Sequence, residues 1–167
     1  AFSRPRASGI IAVDLGAEDK LVGVALTDGR REIMLFSSGG KSIRFPEVEV
    51  RAMGREAAGV RCISLGEGER VNELIVVGEG HILTASEHGF GKLTPVDDFP
   101  VQGRGGQGVI ALQTSDRNGT MVGALQVAHD DEVMLITSSG TLVRTPVNDI
   151  SVVGRNTQGV RLIRIPD

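Results

Sequence analysis

The chain has 167 residues, 40% of them hydrophobic and 23% charged, the balance of a globular protein long enough for a sizeable core. Its net charge of −3 excludes a globally basic nucleic-acid binder, although 15 of the 18 basic residues are arginine and a basic stripe on one face stays open. A single cysteine, Cys62, excludes an internal disulfide, and no apolar run reaches the ~20 residues of a membrane helix, so a reducing cytoplasm is the expected setting.

In chain order, Arg4-Pro5-Arg6-Ala7-Ser8-Gly9-Ile10 is the first of four related stretches. Residues 21–27 then alternate, with Val22, Val24 and Leu26 on one side, the period of a half-buried strand. An Asp28-Gly29 turn leads into residues 32–36, a short continuous apolar run that predicts a strand covered on both faces. Ser37-Ser38-Gly39-Gly40 supplies hairpin turn chemistry. Gly54-Arg55-Glu56-Ala57-Ala58-Gly59-Val60 is a clear copy of a Gly-Arg-x-x-x-Gly-Val motif. The same succession returns with Val71, the apolar run 82–85, the turn at Gly89, Pro95 and Gly103-Arg104-Gly105-Gly106-Gln107-Gly108-Val109. It returns again with Val122, the run 133–136, the turn at Gly140, Pro146 and Gly154-Arg155-Asn156-Thr157-Gln158-Gly159-Val160.

The three full motifs are separated by 49 and 51 residues, and Gly40, Gly89 and Gly140 fall in the same register, as do Pro46, Pro95 and Pro146. One unit of about 50 residues therefore recurs, at 9–58, 59–107 and 108–158, with a partial fourth at 159–167. No long stretch has the 3.6-residue period of an amphipathic helix, and about four strands per unit is the signature of a propeller blade. The expected fold is all-β and propeller-like. The chain begins without methionine and ends inside a repeat, which predicts a piece of a longer protein.

Enzyme chemistry finds little footing. Cys62 falls opposite Ala12, Ala111 and Leu162, as a core residue does. His81, His88 and His129 sit at non-equivalent, turn-like positions, so neither a metal site nor an acid–base cluster is expected. The acid run Asp130-Asp131-Glu132 lacks the ligand spacing of a calcium loop. No helix pattern follows the glycines of 103–108, so they predict a tight β connection, with amides available to a phosphate, rather than a nucleotide loop. The arginines recur in register: Arg55, Arg104 and Arg155 at one position, Arg44 and Arg144 at a second, Arg61 and Arg161 at a third. Two readings stay open, a brace that bonds local carbonyls at blade joints, or cations set at regular steps along a duplex. With Lys41 these arginines form the candidate DNA-binding set. Five phenylalanines and no tryptophan or tyrosine argue against the stacking platforms of single-strand binders.

Glu132-Val133-Met134-Leu135-Ile136-Thr137, Gly140-Thr141-Leu142-Val143-Arg144-Thr145 and Val153-Gly154-Arg155-Asn156-Thr157-Gln158-Gly159-Val160 resemble the last blades of the bacterial DNA gyrase A C-terminal domain. Arg51-Ala52-Met53-Gly54-Arg55 and Glu32-Ile33-Met34-Leu35-Phe36-Ser37 are similar to the same region, and the likeness covers nearly the whole chain. The resemblance implies a β-pinwheel with blades joined by exchanged strands, here an incomplete ring, and duplex DNA wrapped around its rim without sequence preference. It further implies partnership with the rest of gyrase A and with gyrase B in an A2B2 topoisomerase. ATP and magnesium would act elsewhere in that enzyme, with no cofactor in this chain. The covalent step of a type II topoisomerase uses a tyrosine, which this chain lacks. Gln102-Gly103-Arg104-Gly105-Gly106-Gln107-Gly108 matches the family's Gln-Arg-Arg-Gly-Gly-Lys-Gly box at five of seven positions, in a later repeat than the first blade, where the family carries it. The rival readings are a protein-interaction propeller whose arginines serve the joints, and the C-terminal domain of the A-type polypeptide of topoisomerase IV.

Overall fold

Three hairpins carry the architecture: β1 (Glu32–Ser37) with β2 (Lys41–Pro46), β4 (His81–Ser86) with β5 (Phe90–Pro95), and β8 (Glu132–Ile136) with β9 (Leu142–Pro146). They are seen in a computed structural model that describes residues 2, 4 and 6–165; Pro5 of the first motif copy and Pro166 and Asp167 of the partial fourth repeat lie outside it. Gly40, Gly89 and Gly140 close the hairpin turns at φ of 80°, 77° and 86°, each amide bonding back at 3.0 Å to Ser37, Ser86 or Thr137. A left-handed residue is what such a three-residue loop demands, hence a glycine at each turn. Pro46, Pro95 and Pro146 end the second strands, and the chain passes into the 3-10 turns Glu47–Glu49, Val96–Asp98 and Val147–Asp149.

The remaining strands are exchanged between sheets. β3 (Val71–Val76) adds to β1, and β6 (Val109–Ile110), which comes after the next hairpin in the chain, returns to pair with β2. The first sheet thus has the order β3-β1-β2-β6. β7 (Met121–Val127) and β10 (Val160–Arg161) complete the second in the same way, as β10-β5-β4-β7, while β8 and β9 form a two-stranded sheet. With units cut at 9–58, 59–107 and 108–158, the first sheet draws on three consecutive units.

Consecutive sheets stack face to face, with the core between them. Met34, Phe36, Ile82, Phe99, Leu112 and Met121 are fully buried between the first and second sheets, each large side chain contributing about 1.5–3 kcal/mol. Leu83, Leu93, Val133, Val147 and Ile150 join the second sheet to the third hairpin. Met134 and Ile136 are 59% and 68% exposed, although their equivalents Met34 and Phe36 are covered completely. The β8–β9 hairpin has neither an added strand nor a following sheet among the described residues.

The strand expected over 21–27 does not form among the described residues, and Val24 and Leu26 are 80% and 98% exposed. Its repeat equivalents β3 and β7 bond to hairpins beginning 39 and 40 residues earlier, and the described residues include none that far before position 21. The alternation marks a segment able to join a sheet; backbone pairing requires a partner strand.

Candidate nucleic-acid interface

β3 packs beside β7, so the two complete sheets meet at one edge and β6 and β10 lie at the opposite, outer edge. The chain reaches that edge through the Gly-Arg motif. After the turn Val96–Asp98 it crosses to the preceding sheet, runs parallel to Arg44 at Val101, passes through 102–108 and enters β6. Gly108 makes the last bend at φ 72°, where a Cβ would stand 2.1 Å from the Ser42 carbonyl. Gly159 repeats this at φ 75°, 2.4 Å from the Gly91 carbonyl. The second glycine of the motif thus recurs because only glycine allows this approach.

Each motif arginine bonds a backbone carbonyl. Arg55 Nη1 donates to the Ile11 carbonyl at 2.6 Å, Arg104 Nη1 to that of Arg61 at 2.9 Å, and Arg155 Nη1 to that of Ile110 at 2.9 Å. Ile11, Arg61 and Ile110 occupy one repeat position, so each motif arginine reaches back to the outer-strand segment of the motif before it. Arg104 also donates from Nε to the Glu49 carbonyl at 2.9 Å. These contacts fit the bracing reading of Arg55, Arg104 and Arg155 and divert part of each guanidinium from any phosphate.

Arg44 is more fully occupied than the motif arginines. Its side chain is 14% exposed; Nε and Nη2 meet the Glu32 carboxylate at 2.7 and 2.6 Å, and Nη1 donates to the Val96 and Phe99 carbonyls at 3.0 and 3.1 Å. It ties the first hairpin to the 3-10 turn of the next. Arg144 pairs likewise with Glu132, but its side chain is 68% exposed and no following turn is present among the described residues for it to hold.

The box-like segment is engaged internally as well. The Gln102 amide donates to the Arg44 carbonyl at 2.7 Å, the Gly105 amide to that of Cys62 at 2.6 Å, and the Arg104 amide to the Glu49 carboxylate at 2.8 Å, while the Gly106 carbonyl accepts from the Ser64 amide at 2.8 Å. Gly103, Gln107 and Gly108 complete the loop, whose expected role as a tight β connection holds.

Three members of the candidate set have neither a carboxylate partner nor a side-chain hydrogen bond among the described residues: Lys41, Arg61 and Arg161; Arg55, Arg104 and Arg155 also lack a carboxylate but bond carbonyls. Arg61 and Arg161 are exposed and Lys41 is half-buried. Lys41 pairs with Ile110 across β2–β6, and Arg161 with Phe90 across β5–β10, which places one cation on each outer strand pair. Repeat reasoning missed Phe90 and Arg117; the Arg117 and Arg161 guanidiniums lie 4.8 and 4.6 Å from the Phe90 ring centroid. Neither residue recurs in register, so periodicity carried no signal for them.

Cys62 is half-buried, and burial raises its thiol pKa against the opposing charge of Arg104. Among the described residues no group of three or more His, Cys, Asp or Glu is placed to hold a metal ion, and no helix is long and apolar enough to cross a membrane.

A family model described as the DNA gyrase C-terminal domain, beta-propeller, matches residues 2–28, 31–77, 80–128 and 131–167. The matched spans 31–77 and 80–128 each hold three strands of one sheet, whose fourth comes from the following span. The DNA gyrase A protein of Pseudomonas aeruginosa is 56% identical over 165 residues, 98% of this chain and 18% of that protein. That of Salmonella typhimurium is 57% identical over 164 residues, 98% of this chain and 19% of that protein. The chain therefore spans about a fifth of the length of these curated relatives. Among solved structures, the C-terminal domain of DNA topoisomerase IV superimposes with a TM-score of 0.91 at 26% identity over 98% of this chain and 52% of that one. A DNA gyrase A C-terminal domain gives 0.88 at 23%, over 96% of this chain and 55% of that one. The two folds fit alike, and the far higher identity to gyrase A sequences favours gyrase over topoisomerase IV.

Proposed function

The chain belongs to the DNA gyrase C-terminal domain family, and from that premise we propose that it binds duplex DNA along the outer edges of its sheets and bends it without reading sequence. The observation that carries this is the cation on each outer strand pair, Lys41 opposite Ile110 and Arg161 opposite Phe90, with no carboxylate partner among the described residues. Arg61, exposed and at the repeat position of Arg161, extends the row. A net charge of −3 makes such contacts local rather than global, and phosphate contacts alone give affinity without specificity. Bending 20–30 base pairs costs about 1–6 kcal/mol, which several contacts spread over successive sheets offset.

In the parent enzyme this grip would bias the DNA crossing toward negative supercoiling. The rest of gyrase A, together with gyrase B, would be the protein partners in an A2B2 assembly of the bacterial cytoplasm, at the nucleoid. The covalent step, which uses a tyrosine, would belong to another part of the enzyme, since this chain has none, and ATP and magnesium would likewise act elsewhere in it.

A salt titration of a fluorescent random-sequence duplex tests the assignment. The unsubstituted chain is expected to lose affinity steeply with salt. The triple variant Lys41→Ala, Arg61→Ala, Arg161→Ala should lower the log–log slope by about 0.9 per lost phosphate contact. Absence of binding at low salt, or a slope unchanged by the triple variant, would overturn it.

A further inference from the structure

One place on the outer edge is built differently from the rest. Phe90 opens β5, faces Arg161 across the strand pair and is 3% exposed beneath the guanidiniums of Arg161 and Arg117. Arg117 projects from the loop before β7, and that loop is fixed by the buried Asn118. The Asn118 side-chain oxygen accepts from the Ser115 amide and hydroxyl at 2.8 and 3.0 Å, and its Nδ2 donates to the Gln113 carbonyl at 2.8 Å. His88 Nδ1 lies 3.2 Å from the Arg117 carbonyl on the other side.

Both guanidiniums lie close to the same ring centroid, at 4.8 and 4.6 Å, and neither has a carboxylate within ion-pair distance among the described residues. Glu87 is turned to Thr120, accepting from its amide at 3.4 Å and its hydroxyl at 3.2 Å. Asp116 lines a separate hollow with Glu87 and His88. The concavity of about 440 Å³ beside Arg117 is lined instead by Gln113, Asn156, Thr157 and Gln158, with no acid. Gln158 Oε1 accepts from Arg117 Nη1 at 3.4 Å. A guanidinium held over a ring face spends no N–H there, so, apart from the Arg117 Nη1 donor turned to Gln158, the donors of both stay available to a fork-shaped acceptor.

We propose that Arg117 and Arg161, oriented by the Phe90 ring, clamp one backbone phosphate of duplex DNA at the mouth of this concavity, with Phe90 as the positioning residue. The proposal rests on the duplex-binding reading above and makes it uneven. In the first sheet the corresponding outer pair is Lys41 with Ile110. The loop corresponding to 115–118 there is Gly66-Glu67-Gly68-Glu69, closed by the same turn, with Gly68 at the Arg117 position and Glu69 at that of Asn118.

The test is duplex binding by the full chain over a salt series. Arg117→Ala and Arg161→Ala should each weaken binding yet keep most of the log–log slope, because the remaining arginine still neutralises the shared phosphate, and the double variant should lower the slope by about 0.9 rather than twice that. Phe90→Leu and the charge-preserving pair Arg117→Lys, Arg161→Lys should keep the slope while weakening binding about 2- to 5-fold, the worth of the lost stacking. The lysine pair leaves the buried ring in place, so it answers the question even if Phe90→Leu folds poorly. Unchanged binding by the double alanine variant, against a salt-sensitive unsubstituted chain, would overturn the clamp and leave duplex binding standing. Additive slopes would overturn the shared phosphate. No binding by the unsubstituted chain would remove both readings.

Discussion

Replacing Lys92 with methionine tests how the second sheet grips the loop that returns to it. Lys92 is fully buried on β5, at the repeat position of Ile43 and Val143. Its Nζ donates to the Gly154 carbonyl at 2.7 Å, the Thr157 carbonyl and hydroxyl at 3.2 and 3.0 Å, and the Arg155 carbonyl. Burial, with the charge of Arg155 second, lowers its pKa from the usual 10.5 to about 8. Between those values the unfolded chain holds more protons than the folded one. Stability therefore rises with pH from about 8 to 10.5, and the penalty for the buried ammonium is fully present below 8. At 1.36 kcal/mol per unit the rise is about 3 kcal/mol. Lys92→Met removes that penalty and also the charge-assisted bonds, worth about 1.5–3 kcal/mol, to three carbonyls that each keep another donor: Gly154 from the Thr157 hydroxyl, Arg155 from the Thr157 amide and Thr157 from the Gln113 amide. Near pH 7 the two effects largely offset, so the informative quantity is the pH slope. Denaturant unfolding of both chains from pH 7 to 10.5 should show the stability gap widening in favour of Lys92 by up to about 3 kcal/mol. The chain has no tyrosine, and Cys62 is common to both variants, so the difference isolates Lys92. Parallel pH curves would refute the reasoning, and a gap that closes would reverse its sign.

Gly108→Ala forces a Cβ to 2.1 Å from the Ser42 carbonyl at φ 72° and is expected to destabilise by about 3 kcal/mol or more. Gly140→Ala, at φ 86° with no described atom within 4 Å, should lose only about 1 kcal/mol, and thermal unfolding of the two variants compares them. Arg44→Met leaves the Glu32 carboxylate and the Phe99 carbonyl without their donor, while the Val96 carbonyl keeps the Phe99 amide, for a loss of about 3 kcal/mol. Arg144→Met, whose partner is the exposed pair with Glu132, should stay within about 1 kcal/mol in the same denaturation assay.

The hairpins, their glycine turns and the prolines that end them were legible in the sequence because each answers a local demand of the backbone. Which strands share a sheet was not, because β2 bonds to β6 more than 60 residues later and nothing local names that partner. Residues 21–27 carry a sound strand pattern and form no strand among the described residues for the same reason, since pairing is not a local property. The arginines divide along similar lines. Periodicity located Arg55, Arg104 and Arg155, but recurrence could not say whether they face inward or outward, and their bonds to Ile11, Arg61 and Ile110 lie 43 to 45 residues away. Arg117 gave no signal, because a residue present once in the repeat register looks like noise.

Those two kinds of arginine suggest how to separate scaffold from site in a repeat protein. A contact that every blade needs in order to join the next must recur at the same position, and Gly-Arg-x-x-x-Gly-Val recurs because its arginine braces and its glycine admits a carbonyl. A contact with a ligand on the outer edge needs only a charge at a given level, and either strand of the outer pair can supply it. On the first sheet the cation is Lys41 and its cross-strand neighbour is Ile110; on the second the cation is Arg161 and its neighbour is Phe90. Position by position, neither column is basic throughout. Taken as cross-strand pairs, both sheets carry one cation at the same level, since opposed side chains share a face and stand about 4.5–5.5 Å apart. Charge at the edge is thus preserved by the pair while the residue is free to change strands, and the second sheet can use the vacated place for the aromatic ring that orients Arg161 and Arg117.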